Sequence, residues 1–569
     1  MSISLSTFLF FSCNSVVDVN FSGSSSDKNI LLGEAESLLT LSDQQTCSEV
    51  ELQYSQDNVG EDWNSQPDSG WASWEEPEDF YGGEGVVVGD FSNDGILDIF
   101  VPTRAEDLLF FGKIEQGQYS LVRSSDEPWN LVTTEFNSVS LGGSTADIEG
   151  DGDLDLLIIK MNGPNELWIN DGLGVFSLST NSLHDEFGYR PGSSWADYNK
   201  DGWLDLISFG SGGGPLDGPP WEDSDDFEPA VPDRLYKNKN GILRPKNIVH
   251  TEKDGYTFAG SFIDINKDSL LDIYIINDFG HVHTPNQVLL QTDNGFIESP
   301  DHDLSFAAFG MGLGIGDLNE DGDPDFFITD WGRNVLMESD GDGGWYDSTL
   351  QRRVIPSDER QQLSWGAEFV DINNDSLLDI WVPYGALENQ EEFQVEFDAL
   401  GLQNPYQQPD ALFLQQEDGS FLEQASSLGL DRETTSRGGV WADLNQDGVL
   451  DLISAAIDGP AAIFLSSCTQ EHWTAIRLQQ IDGNYNGIGS RIRISGTING
   501  EKRTLERWVL AGGTSMASGG PPVVYFGLGD METIEKMEVF WANGLVESFE
   551  NIPTNQNIHI EFKMAETTE

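Results

Sequence analysis

Seven nine-residue stretches of this chain set carboxylate, amide or hydroxyl oxygens at positions 1, 3, 5 and 9, with glycine or serine at position 6. They run from Asp90 to Asp98, Asp147 to Asp155, Asp197 to Asp205, Asp264 to Asp272, Asp317 to Asp325, Asp371 to Asp379 and Asp443 to Asp451. Alternating oxygen donors on a backbone that folds back at position 6 are how a short loop encircles Ca²⁺, with position 7 adding its backbone carbonyl. The candidate ligands of the first four loops are Asp90, Ser92, Asp94, Ile96 and Asp98; Asp147, Glu149, Asp151, Asp153 and Asp155; Asp197, Asn199, Asp201, Trp203 and Asp205; and Asp264, Asn266, Asp268, Leu270 and Asp272. Those of the last three are Asp317, Asn319, Asp321, Asp323 and Asp325; Asp371, Asn373, Asp375, Leu377 and Asp379; and Asp443, Asn445, Asp447, Val449 and Asp451. The pattern implies about seven Ca²⁺ ions. The plainer alternative is a set of turns held by Asp and Asn side chains with no metal. Ser269 and Ser376 stand where a left-handed backbone favours glycine, so loops four and six are expected to bind more weakly or to use an adapted turn. Ser92 is a poorer donor than the Asn or Glu found at position 3 elsewhere.

Loops of this kind need a scaffold that repeats. Their first aspartates recur every 50 to 72 residues over a chain of 569, the spacing of a repeat architecture. A small-residue stretch such as Gly192 to Ala196 leads into each loop, and an apolar run such as Leu154 to Ile159 follows it. A third run, such as Glu166 to Ile169, and a fourth after a glycine turn, such as Gly174 to Leu178, complete four strands per repeat. Four antiparallel strands make one propeller blade, so the expected fold is an all-β, seven-bladed β-propeller, with a solenoid as the competing architecture. The seventh repeat has only three strands before the pattern ends at Cys468. Val50 to Tyr54 is therefore expected to supply its fourth strand, antiparallel to Ile463 to Leu465.

Bulk composition bounds the partners. The 98 Asp and Glu against 28 Lys and Arg give a formal charge of -70, which excludes nucleic acid as a partner because no basic stripe is available for phosphates. Hydrophobic residues make up 38% and aromatics 11%, the composition of a folded chain with a solvated acidic surface.

The repeats resemble the FG-GAP or VCBS repeats of integrin α-chain propellers and of bacterial secreted proteins, over about residues 50 to 468. Phe309-Gly310 and Trp365-Gly366 stand where that family has its aromatic-glycine pair. The resemblance implies Ca²⁺ between the first and second strands of each blade. Beyond Cys468 the strands from Glu471 to about Phe562 read as a small sandwich or barrel. This segment resembles the ASPIC/UnbV domain in Asn486-Gly-Ile-Gly-Ser-Arg491, Gly512-Gly513 with Ser515, Phe526-Gly-Leu-Gly529 and Trp541-Ala-Asn-Gly544. Ala542 replaces that family's usual proline and is expected to loosen a turn. The whole arrangement resembles the cartilage acidic protein family. The expected domains are a lipoprotein-type signal at 1–13, a flexible tether at 14–46, the propeller at 47–468, the ASPIC/UnbV domain at 471–562 and a tail at 563–569.

Thr7 to Cys13 resembles the end of a bacterial lipoprotein signal, which would acylate Cys13, although no Lys or Arg precedes Lys28. With Cys13 so used, Cys47 and Cys468 are an even pair. Strand closure would bring them together as a disulfide in an oxidising compartment. Catalytic signals are weak. His281-Val-His283, with His302, reads as polar loop residues rather than a metal site. Ser515 lacks the context of a hydrolase nucleophile. The expected function is a non-enzymatic, calcium-binding adhesion or matrix-binding protein, extracellular or at the cell surface, or an outer-membrane lipoprotein if the anchor is used. It would take a protein or glycan ligand on the face opposite the calcium loops, where long insertions fall at Gly210 to Asp233, Asp278 to Asn286 and Tyr384 to Asp410. It would touch membrane only through an N-terminal lipid. The competing function is a carbohydrate-active enzyme resembling a polysaccharide lyase, which would need Lys, Arg or Tyr gathered at the propeller mouth.

If the loops hold Ca²⁺, chelation should lower the melting temperature sharply, because each empty loop leaves carboxylates in mutual repulsion. Asp201→Ala should destabilise more than Asp268→Ala. Superimposable melting curves in EGTA and in millimolar Ca²⁺ would refute this.

Overall fold

A computed structural model of the chain describes residues 36–41, 52–56, 59 and, from 85 to 563, all but 104–106, 125–138, 162, 180–182, 184–188, 213–229, 247–253, 359–362, 386–407, 458, 468, 481–482 and 513–516. Seven four-stranded antiparallel sheets follow one another along the chain. The first comprises Val87–Gly89, Asp98–Val101, Leu108–Glu115 and Gln118–Arg123, hydrogen-bonded in sequence order. The first strands of the next six are Val139–Ala146, Gly192–Ala196, Tyr256–Ile263, Leu313–Gly316, Glu368–Val370 and Ser436–Ala442. The second strands are buried on both faces, as Asp205–Phe209 and Asp272–Asp278 illustrate. That is why they read as unbroken apolar runs rather than alternating ones.

Each sheet buries its faces against its neighbours, and the apolar clusters run round a closed circle. Phe91 and Phe100 pack with Leu156 and Trp168 between the first and second sheets. Ile207 and Phe209 pack with Ile273 and Ile275 between the third and fourth. Val88 and Ile99 pack with Val440 and Ile453 between the first and the last. The architecture is a β-propeller.

The last sheet is completed from the other end of the chain. Tyr54–Gln56 pairs antiparallel with Phe464 to Ser466, so the expected partner is right and the closing strand begins where Val50 to Tyr54 was expected to end. Tyr54 is buried, donates from its hydroxyl to Leu450 O at 2.9 Å and meets Trp441 edge-on at 5.8 Å. Cys13, Cys47 and Cys468 lie outside the described residues, and with them the acylation and disulfide expectations.

The C-terminal domain is a sandwich of two four-stranded sheets. One runs Glu501–Trp508, Arg491–Ile498, Thr533–Phe540, Val546–Pro553. The other runs Glu36–Leu41, Gln556–Lys563, His472–Gln480, Val523–Gly529. Its edge strand comes from the stretch expected to be a tether, and Glu36 to Leu41 pairs antiparallel with Ile558 to Lys563. The tether expectation fails there because the row of unpaired backbone groups along Gln556–Lys563 is a template for another strand. The turn at Ala542 is not loosened either. Its N–H, which a proline would lack, donates to Ser490 Oγ at 3.0 Å, and Gly544 N–H closes on Trp541 O at 2.8 Å.

The two domains share one core. Leu157, Trp195, Leu206 and Tyr236 of the propeller lie in the same cluster as Ile476, Ile488, Phe526 and Ile560 of the sandwich. Ala511 and Ala517 to Gly519 meet the first strands of the propeller, where Trp195 N–H donates to Ala511 O at 3.0 Å, Gly143 N–H to Ala517 O at 2.9 Å and Val88 N–H to Gly519 O at 2.8 Å. A Cβ on Gly142 would lie 1.7 Å from Ala517 O, so only glycine admits this approach. Ala517 ends among Leu141, Ile159, Phe258, Met311, Leu363 and Trp365, which seal the channel.

Ring closure should depend on Tyr54. Tyr54→Ala is expected to cost about 3–5 kcal/mol, as for other buried aromatics, and Tyr54→Phe about 1 kcal/mol for the hydrogen bond. Equilibrium urea denaturation monitored by fluorescence tests both, and a Tyr54→Ala variant as stable as the parent would contradict the latch.

Candidate metal centres

All seven loops fold alike, and the reason lies in two aspartates. The position-1 carboxylate accepts the N–H groups of positions 5 and 6. For Asp197 these come from Asp201 at 2.9 Å and Gly202 at 2.8 Å, and for Asp443 from Asp447 and Gly448, both at 2.9 Å. The position-9 carboxylate is more deeply committed. Asp98 accepts from Phe91 and Ser92 with Oδ2, at 2.9 and 3.0 Å, and from Gly112 of the third strand with Oδ1 at 2.8 Å. The third-strand bond recurs from Asn170 to Asp155, Asn238 to Asp205, Gln291 to Asp272, Ser339 to Asp325, Gln415 to Asp379 and Ser466 to Asp451. Position 9 therefore straps loop to sheet, a role the spacing alone did not reveal.

The backbone is left-handed at two positions per loop, not one. Position 4 has φ of 53° at Asn93, 56° at Lys200 and 60° at Glu320, and position 6 has 86° at Gly95 and 90° at Gly202. Ser269 and Ser376 hold φ of 68° and 77°, so they keep the common turn under strain instead of adapting it. For Ser376 there is a compensation, since its hydroxyl accepts from Arg503 of the C-terminal domain.

Among the described residues no group of three or more His, Cys, Asp or Glu side chains is arranged so as to hold a metal ion. The carboxylates are turned back onto their own backbone. The donor set still fits a hard divalent cation. Positions 1, 3 and 5 surround one turn, and the Asn side chain at position 3 touches the position-5 carboxylate at 2.9 Å in loops five and six and 3.0 Å in loop seven. Every donor there is an oxygen, and the carbonyl of position 7 would complete the set. Burial holds these acids well out of the usual carboxylate range. It raises Asp147 and Asp197 to about 6, Asp98, Asp272 and Asp317 to about 7, and Asp205 and Asp451 to about 8. A bound dication would offset that desolvation.

The sandwich covers this loop face. Arg503 Nε donates to Glu320 of loop five at 2.9 Å, and Arg477 lies 3.8 Å from Asp90 of loop one. Gly529 N–H donates to Asn374 O of loop six at 2.8 Å. A Cβ on Gly448 of loop seven would fall 1.8 Å from the Trp473 indole, and one on Gly152 of loop two 3.0 Å from Tyr485. The position-6 glycines thus also admit the second domain. The signal in the sequence was the set of arginines, Arg477, Arg493, Arg503 and Arg507, placed on an otherwise acidic chain.

The histidines do not gather. His281 rests on Phe309 at 5.1 Å, His283 on Tyr256 at 5.1 Å and His302 on Trp345 at 5.2 Å. Ser515 and most of the insertions 210–233 and 384–410 lie outside the described residues.

Fold and loops together define an FG-GAP-repeat β-propeller with a C-terminal ASPIC/UnbV domain. The FG-GAP-like repeat model matches residues 147–208, 264–328 and 317–382, and the ASPIC and UnbV model matches 480–567. The chain is weakly homologous to cartilage acidic protein 1 of Homo sapiens, 22% identical over 528 residues, covering 78% of this chain and 75% of that protein. Similar solved structures include the BP39L lectin of Burkholderia pseudomallei, at 9% identity and a TM-score of 0.37 over 67% of this chain and 98% of that one. Rhamnogalacturonan lyase YesW is similar at 11% identity and a TM-score of 0.33, over 68% and 72%.

Because burial raises the folded-state pKa of these aspartates, the metal-free protein binds protons more tightly than the unfolded chain does. Its stability should be greatest near pH 4 and fall as pH rises through about 6 to 8, by about 3 kcal/mol or more in total. Millimolar Ca²⁺ should flatten that decline. Denaturation midpoints between pH 5 and 8, with chelator and with Ca²⁺, provide the check, and a flat profile in chelator would refute it.

Proposed function

We propose that this chain is an extracellular, calcium-stabilised ligand-binding protein of adhesion or matrix type, without catalytic activity, whose ligand binds the propeller face away from the Asp loops. One observation carries this reading. The sandwich covers the loop face and sets Ala511 and Ala517 to Gly519 against the first strands of the ring, so the opposite face is the one with surface to offer. Ca²⁺ in this reading is held by positions 1, 3, 5 and 7 and stabilises the scaffold rather than touching ligand. Among the described residues no helix is long and apolar enough to cross a membrane.

Among the described residues, Arg437 and Arg190 near the channel lend the lyase alternative no support. Arg437 donates to Gly385 O at 3.2 Å and Ser436 O at 3.1 Å and lies 4.0 Å over Trp365, and Arg190 donates to Pro232 O at 2.9 Å. Both are buried and engaged with backbone carbonyls rather than aimed at a substrate carboxylate.

A glycan and matrix-protein array probed in millimolar Ca²⁺, after EGTA, and after restoring Ca²⁺ tests the proposal. Binding should appear, disappear and return. Absence of any ligand, or accumulation of unsaturated uronate products from polyuronates, would overturn it.

A further inference from the structure

Side chains from the fourth and fifth sheets build a stepped aromatic surface on the face opposite the Asp loops. Phe309 is its centre, with His281 tilted against it at 5.1 Å, Trp331 at 6.4 Å and 66°, and Phe279 edge-on beneath at 6.2 Å and 90°. Phe279 is buried, Phe309 is half-buried, His281 is exposed and Trp331 is 37% exposed. Water-facing rings side by side are a departure from the solvated acidic surface elsewhere.

The surface is held rigidly. Phe279 has φ of 55°, a left-handed conformation that a bulky residue rarely adopts, and strain of that kind persists only where the surroundings impose it. They do so here through four backbone bonds. Val282 and His283 N–H both donate to Phe279 O, at 2.9 and 2.8 Å, Gly280 N–H donates to Ala308 O at 2.8 Å, and Gly310 N–H to Asn277 O at 3.1 Å. Trp331 is pinned by a backbone bridge to Leu363. Two carboxylates border the rings. Asp330 precedes Trp331 and accepts Phe309 N–H at 3.1 Å, while Asp278 precedes Phe279 and accepts its N–H at 2.7 Å.

We propose that this platform of Trp331, Phe309 and His281, bordered by Asp278 and Asp330, binds a neutral, pyranose-containing glycan. The inference rests on the ligand-binding reading above and names the ligand class for that face. A pyranose ring has a flat C–H face that an exposed aromatic ring can cover, and hydroxyls around its edge that stay in water or meet polar groups. The rings meet one another at 51° to 90° and so form steps rather than a cage closing on one point, which suits flat sugar rings better than a compact cation. Charge rules out acidic glycans. The chain carries -70, the buried Asp330 lies directly behind the rings, and Arg333, a nearby cation, is paired with Asp347 at 2.6 Å. Burial raises Asp278 to about 8, so near neutral pH it is a neutral carboxyl, whereas Asp330, raised to about 6, is largely ionised.

The test is calorimetric titration of the full chain in millimolar Ca²⁺ with neutral gluco-, manno-, galacto- and chito-oligosaccharides, polygalacturonate and poly-lysine serving as charged controls. At least one neutral series should bind. Trp331→Ala should weaken it about tenfold or more, and Trp331→Phe should restore part of the loss. Melting curves unchanged from the parent confirm that the variants are folded. No binding by any neutral series, unchanged affinity in folded Trp331→Ala, or tighter binding of either charged control would overturn the site. Array binding that survives Trp331→Ala would sink this site alone, whereas absence of array binding would sink the ligand-binding reading itself.

Discussion

A single carboxylate, repeated seven times, makes this propeller possible. The aspartate at position 9 of each loop is almost wholly buried, from Asp98 to Asp451, and accepts N–H groups from the start of its loop and from the third strand of its sheet. It joins the turn to the sheet at the point where the chain reverses, where backbone donors would otherwise be stranded. The cost is a buried charge in every repeat. Hydrogen bonds lower it and burial raises it, and burial wins: all seven carboxyls are pushed up, Asp98 and Asp272 to about 7 and Asp205 and Asp451 to about 8.

That unresolved charge explains much else. The loop face carries more negative charge than its hydrogen bonds neutralise, and the sandwich brings arginines to it. Arg503 spans Glu320 and Ser376 of two successive loops, while Arg477 approaches Asp90 across the ring. Apolar contact does the rest, through the cluster shared by Trp195 and Ile476. The C-terminal domain is therefore part of the propeller's own structure rather than an appendage, with Ala517 sealing the centre that a free-standing ring would leave open.

The repeats were legible because their chemistry is local. Loop spacing, the apolar second strand and the glycine turn each act within a few residues, and the sheets follow those boundaries closely. What escaped was non-local. Glu36–Leu41 is Ser- and Leu-bearing chain with no strong period, and only the bare edge of Gln556–Lys563 makes it a strand. The closing strand was found by the need for a fourth strand, but its register was set by Tyr54 finding Trp441 and Leu450, about four hundred residues away. Spacing leaves open whether the loop carboxylates hold a metal or only their own turn, because it cannot show that a side chain turns inward. The aromatic surface was hidden for a similar reason. Asp278-Phe and Asp330-Trp are unremarkable dipeptides until two sheets bring them side by side.

The two strands contributed by the N-terminal region set an order of events. Tyr54–Gln56 waits for Ala462–Ser466, and Glu36–Leu41 waits for Gln556–Lys563, so neither domain can be finished until the strand that closes it has been made. Pairings that span nearly the whole sequence form slowly, since the loop they close must lose its freedom before any contact rewards it. In the interval the last sheet of the ring and the outer edge of the sandwich lie open to foreign strands. A nascent chain of this design keeps those edges open until Gln556–Lys563 has been made, and its exposure to misassembly grows with that wait.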